Sequence, residues 1–177
     1  MPTTTASRTI TDRMIGALRL DVAAYEEIEA DPKGTGQAAF IVVASSLVAA
    51  AGNALARGGE VNVGLIVTIA ELLGWALYAW LGYFIGAKMF PAPQTKSSWG
   101  EVARTLGFAS TPRFGLILVA FPGVSGLVRF TVAVWILVAT IVALRSALDC
   151  GTVRAVVIAV LASLAQLAVI AFVVNSL

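Results

Sequence analysis

The chain has 177 residues, of which 59% are apolar and 12% charged, with twelve Lys or Arg, ten Asp or Glu and a mean hydropathy of +0.90. That balance excludes an ordinary water-soluble domain, and a net charge of +2 with no basic patch excludes a nucleic-acid binder. With no His and a single Cys, Cys150, the chain cannot build a His-ligated haem, a Cys/His zinc site, a Ser-His-Asp triad, a Cys-His dyad or an internal disulfide.

Residues 1–37 carry four basic and six acidic residues and no apolar core before Ala38, so a cleaved signal peptide is not expected. Met14, Ile15, Leu18, Val22, Tyr25 and Ile28 recur at spacings of three and four, which predicts one amphipathic helix. Thr9 with Asp12 resembles a capping pair at its start, Asp31 before Pro32 ends it, and Gly34 and Gly36 turn the chain into the first long apolar run. The helix is expected to pack beneath a membrane bundle. Its last turns hold Glu26, Glu27, Glu29 and Asp31, which an anionic lipid surface repels. These carboxylates either pair with basic residues of the inner loops, such as Lys88, Arg145 or Arg154, or offer a docking surface to a basic partner.

A bilayer core of roughly 30 Å takes about 20 mainly apolar residues to cross as helix. Five runs qualify, at 38–56, 63–85, 105–122, 127–148 and 155–174. Pro112 and Arg113 interrupt the third, while Arg129 and Arg145 crowd the fourth, so a re-entrant course is the alternative for both. The reading is an all-α, polytopic membrane bundle of about five transmembrane helices over residues 38–177, preceded by a cytoplasmic amphipathic helix within residues 1–37. Basic residues near span ends stay on the cytoplasmic side. With the N-terminus inside, Arg8, Arg13, Arg19, Lys33, Lys88, Lys96, Arg104, Arg145 and Arg154 fall inside and Arg57 and Arg129 outside, which places the C-terminus outside.

An ionisable group at membrane depth costs several kcal/mol unless it is paired or hydrated. Glu71 and Arg113 lie about 12 and 13 Å from the outer ends of spans two and three, at a rise of about 1.5 Å per residue. Matching depths predict an interhelical ion pair, with Pro112 freeing backbone carbonyls nearby. The two charges either pair to specify packing, line a polar cavity for an ion or ligand, or make no contact. Trp75, Tyr78, Trp80, Tyr83 and Phe84 crowd the inner half of the second span, as packing and lipid contact or as a flat surface for a pigment, a quinone or another subunit. Gly82 and Gly86 form a small-xxx-small pattern for close helix packing. Cys150 reads as an incidental small apolar residue, with palmitoylation or redox sensing as the alternative.

The segment Tyr25–Gln37 (YEEIEADPKGTGQ) ahead of a first span, Glu101–Pro112 (EVARTLGFASTP), Trp135, Ala143–Asp149 (ALRSALD) and Arg154-Ala155 together resemble bacterial members of the Yip-one domain family. The family is named for Ypt-interacting proteins. The resemblance implies about five spans with a cytoplasmic N-terminus, in a bacterial cytoplasmic membrane. Eukaryotic members bind Rab-type GTPases, but this chain lacks their Asp-Leu-Tyr-Gly-Pro type motif, so GTPase binding is not carried over.

The resulting expectation is a non-enzymatic scaffold, assembly factor or accessory subunit, without cofactor, whose partners are the bilayer and other integral membrane proteins or itself. Its candidate interface is Glu26, Glu27, Glu29, Asp31, Trp75 and Trp80, with Gly82, Gly86 and Pro112 as packing positions. The alternative is a small oligomeric transporter or channel using Glu71 and Arg113. A membrane-embedded enzyme ranks last, because a lone carboxylate without a second acid, His or metal ligand has little chemistry to offer.

Overall fold

The computed structural model describes residues 8–57 and 64–176; the first seven residues of the N-terminal segment and Val63 of the second expected span lie outside them. Among the described residues seven α-helices occur in chain order: α1 (Ile10–Leu18), α2 (Val22–Ala30), α3 (Gly34–Ala56), α4 (Gly64–Tyr83), α5 (Trp99–Ala109), α6 (Ser125–Ala147) and α7 (Thr152–Ser176). A π-helical stretch, Phe84–Met89, extends α4, and a 3-10 stretch, Thr111–Ala120, succeeds α5. No strand occurs among the described residues. The chain is a helical membrane protein, and its long elements run back and forth as a bundle.

Among the described residues four helical stretches are long and apolar enough to cross a bilayer: Gly34–Ala56, Thr68–Met89, Ser125–Ala147 and Thr152–Val173. The fourth expected span is thus one unbroken 23-residue helix despite Arg129 and Arg145. The third is different: instead of one helix over 105–122, an 11-residue α-helix gives way at Ser110 to the 10-residue 3-10 stretch. Pro112 stands at the start of that stretch, where it lacks an N–H and clashes with a preceding α turn. Thr111 instead donates its hydroxyl to Phe108 O at 2.6 Å, and Arg113 N donates to Ser110 O at 3.0 Å. At rises of about 1.5 and 2.0 Å per residue the two pieces extend roughly 36 Å together.

The N-terminal segment also departs from expectation, since the single amphipathic helix is two helices joined at Arg19–Asp21. Thr9 and Asp12 do form a capping box at the start of α1. At its end, Asp21 N donates to Gly16 O and Leu20 N to Ala17 O, the paired bonds that close a helix through a left-handed residue. Leu20 takes that position with φ +59, and the Asp21 side chain then caps α2 by accepting from Ala23 N. A Cβ on Gly16 would lie 2.5 Å from Ala24 Cβ, so the two helices touch there. The hairpin packs on α5 and α6 and reaches up the side of α6, where Trp135 Nε1 donates to Leu18 O at 3.0 Å. It therefore lies along the bundle's flank and not simply beneath it.

The core gathers on α5, whose residues Val102–Ala109 are all buried among α2, α3, α4 and α6. Two glycines let backbones meet. A Cβ at Gly107 would lie 2.5 Å from Ala38 Cβ and 2.9 Å from its Cα, and one at Gly52 would strike the Leu116 carbonyl of the 3-10 stretch. At Gly82 and Gly86 the close neighbours are instead the side chains of Leu144 on α6 and of Leu148, the residue that caps its end.

Candidate functional site: two polar layers in an apolar bundle

Helix α5 begins with a capping box, Ser98 N donating to Glu101 Oε2 at 2.8 Å and Glu101 N to Ser98 Oγ at 3.4 Å. One turn later Arg104 is buried, with 7% exposure. Its guanidinium turns to the end of α2, donating to the carbonyls of Ile28 and Glu29 and to Thr35 Oγ1. Those carbonyls are the unpaired acceptors at a helix C-terminus, where the helix dipole favours a cation. Arg13, only 2% exposed, completes the layer: it pairs with Glu27 at 3.1 Å and Asp31 at 2.7 Å and donates to Gln37 Oε1.

The acidic run thus divides. Glu27 and Asp31 pair within the N-terminal segment, with Arg8 and Arg13, and not with Lys88, Arg145 or Arg154. The hydrogen bond from Arg13 holds the Asp31 carboxyl below its ordinary value. Glu26 is exposed. Glu29 is half-buried, and burial, together with repulsion from Asp149, Glu101 and Glu26, pushes its carboxyl up to about 7 against the opposing pull of Arg104.

The second layer lies deeper. Arg113, on the 3-10 stretch, pairs with Glu71 of α4, and the same nitrogen reaches Ser46 Oγ of α3 at 3.4 Å. Three elements, α3, α4 and the 3-10 stretch, therefore meet at one guanidinium, just after Pro112. The Glu71 side chain is 41% exposed and that of Arg113 21%.

The aromatic cluster on α4 also divides. Trp75 Nε1 donates to Ala103 O at 3.1 Å and Tyr78 Oη to Ala159 O at 3.1 Å, tying α4 to α5 and α7. Trp80 and Phe84 point away from the core, 48% and 40% exposed, and stack with ring centroids 5.2 Å apart. Lys88 lies over the Tyr83 ring at 5.6 Å.

Two contributors were not singled out in the sequence, and a third, Arg129, was noted only as a charge crowding the fourth run. Gln166 Nε2 donates to Gly74 O at 2.8 Å, Thr95 Oγ1 to Leu148 O at 2.7 Å, and Arg129 Nη2 to Asn53 Oδ1 at 2.6 Å. Gln166 and Arg129 carry a detectable signal, a polar side chain inside an apolar run; Thr95, in the loop between the second and third runs, carries none. Cys150 is buried, and burial pushes its thiol up, away from the reactive thiolate. Among the described residues no three Cys, Asp or Glu side chains gather closely enough to hold a metal ion.

The family model of the Yip1 domain matches residues 15–174, nearly the whole chain. No curated protein and no solved structure matches.

Proposed function

The chain belongs to the Yip1 domain family, and we propose that it works as a non-enzymatic scaffold, assembly factor or accessory subunit that packs against other membrane proteins. One observation carries this reading: the polar side chains inside the bundle are used to tie one helix to the next, while an aromatic pair, Trp80 and Phe84, is left stacked on the outer surface. Stacked rings are large, rigid anchors of the kind that dominate protein interfaces. The orientation that goes with this role has the N-terminus in the cytoplasm and the C-terminus outside, in a bacterial cytoplasmic membrane. The α5 and 3-10 pieces together make the third of five crossings.

The test is gentle detergent extraction, blue-native electrophoresis and mass spectrometry of whatever migrates with the chain. A defined larger complex that is lost in a Trp80→Ala/Phe84→Ala double variant supports the reading; migration of the wild type alone overturns it.

A second reading, a small oligomeric transporter or channel, is favoured by the partial exposure of the Glu71 side chain although it is paired. Ion flux through reconstituted wild type that disappears in Glu71→Gln would favour this over the scaffold.

A further inference from the structure

We propose that the groove between the segment just after the π-helical end of α4 and the first turns of α7 binds one anionic phospholipid, with its phosphate on Arg154 and an acyl chain along the groove wall. The groove encloses about 610 Å³, within the range of small-ligand sites. Phe90, Ala92 and Pro93 form one wall, and Val153, Val157 and Leu161 form the other. The last three recur every fourth residue, an apolar stripe roughly 12 Å long on one face of α7. They are 80%, 51% and 38% exposed, whereas Ile158 beneath them is 1% exposed. The groove therefore has a closed floor and opens sideways, towards the bilayer.

Its mouth is polar at one end only. Arg154 is exposed and among the described residues donates a single long hydrogen bond, from Nη1 to Phe90 O at 3.4 Å. A guanidinium has five N–H donors, so most of its capacity is available to a phosphate. Gln94 adds an amide to the lining, and a Cβ placed on Gly151 would meet nothing, which leaves the mouth open. Arg145 and Asp149 flank Cys150 beside the mouth, so their charges offset and Arg154 sets the local sign. One cation at the end of an apolar groove matches a lipid with a net negative headgroup. A zwitterionic lipid brings its own cation to the same place and loses that advantage.

This site neither requires nor excludes the scaffold role. The test is native mass spectrometry of the purified full chain, titrated with equimolar phosphatidylglycerol and phosphatidylcholine of identical acyl chains. The expected result is one retained phosphatidylglycerol per chain, preferred about fivefold. Arg154→Gln should abolish the preference, and Val157→Trp, which fills the stripe from its exposed side, should lower retention of both lipids while the thermal midpoint holds. Equal retention of the two lipids by the wild type overturns the proposal. So does an undiminished preference in Arg154→Gln, undiminished retention in Val157→Trp, displacement of the lipid by excess inorganic phosphate, or a groove filled by a second copy of the chain.

Discussion

The layer at the hairpin and the layer at mid-bundle each hold guanidinium groups inside an apolar bundle, but by different means. Arg13 and Arg104 have partners on most sides, two carboxylates, an amide, two carbonyls and a hydroxyl between them. Arg113 has one carboxylate and one hydroxyl. The outer layer spreads its charge over backbone dipoles and side chains, so loss of one partner is shared; the inner layer depends on a single ion pair. Where water is scarce, an ion pair reduced to one partner leaves a charge with nothing to offset it.

The largest effect should come from breaking that pair. Arg113→Leu is expected to cost on the order of 3 kcal/mol in reversible unfolding from mixed micelles, and the Glu71→Leu/Arg113→Leu double variant distinctly less. Equal losses in the two would show that the pairing contributes nothing. Arg104→Ala should come next, at about 2 kcal/mol, because buried carbonyls at the end of α2 lose their donor. Its signature is local: hydrogen exchange should rise across residues 10–30 while α6 and α7 stay protected.

Gly107→Ala lies between the two layers and tests whether they communicate through packing. Its new methyl would meet the backbone of Ala38, at about 1–3 kcal/mol, and should loosen both layers at once. Glu29 sharpens the comparison through pH. Its folded value, raised from 4.5 to about 7, means a contribution to stability fully present below pH 4.5 and lost as pH rises through about 7. Glu29→Gln should remove that slope from the thermal midpoint, and a slope unchanged in the variant would assign it to other groups. The smallest effect is expected at Asp149, which closes α6 with φ +46. Asp149→Gly relieves the left-handed backbone but frees the unfolded chain, so the two offset and stability should change by less than about 1 kcal/mol, while removal of a repelling carboxylate should bring Glu29 down.

What the sequence revealed depended on whether a signal was local. The α6 and α7 spans were legible because an unbroken apolar run of that length has no other stable use. Glu71 and Arg113 stood out as charges inside such runs. The break in the third expected span was visible as Pro112 but its form was not, because choosing a 3-10 path depends on what α3 presents at Gly52. The turn at Leu20 gave no warning, since a left-handed position usually announces itself with Gly or Asn. Gly82 and Gly86 matched a spacing pattern, while the backbone contacts fell at Gly52 and Gly107, where the partner segments are the 3-10 stretch and α3. Arg104 was visible as one positive charge among nine and within the Glu101–Pro112 resemblance, but its role was not, because its main partners are backbone carbonyls, which every residue has.

The 3-10 stretch changes how this protein tolerates insertions. Three residues complete its turn, so side chains stand in three straight rows, one of them Arg113, Leu116 and Val119. The Leu116 carbonyl abuts Gly52, and Val119 is 2% exposed, so this row is the seam against the rest of the bundle. One residue added after Arg113 rotates the seam by about 120° and brings a different row inward. Three residues restore the row and only displace it by about 6 Å along the axis. Length variation among relatives of this chain should therefore keep a period of three in this stretch, while elsewhere in the bundle it keeps to the α-helical turn.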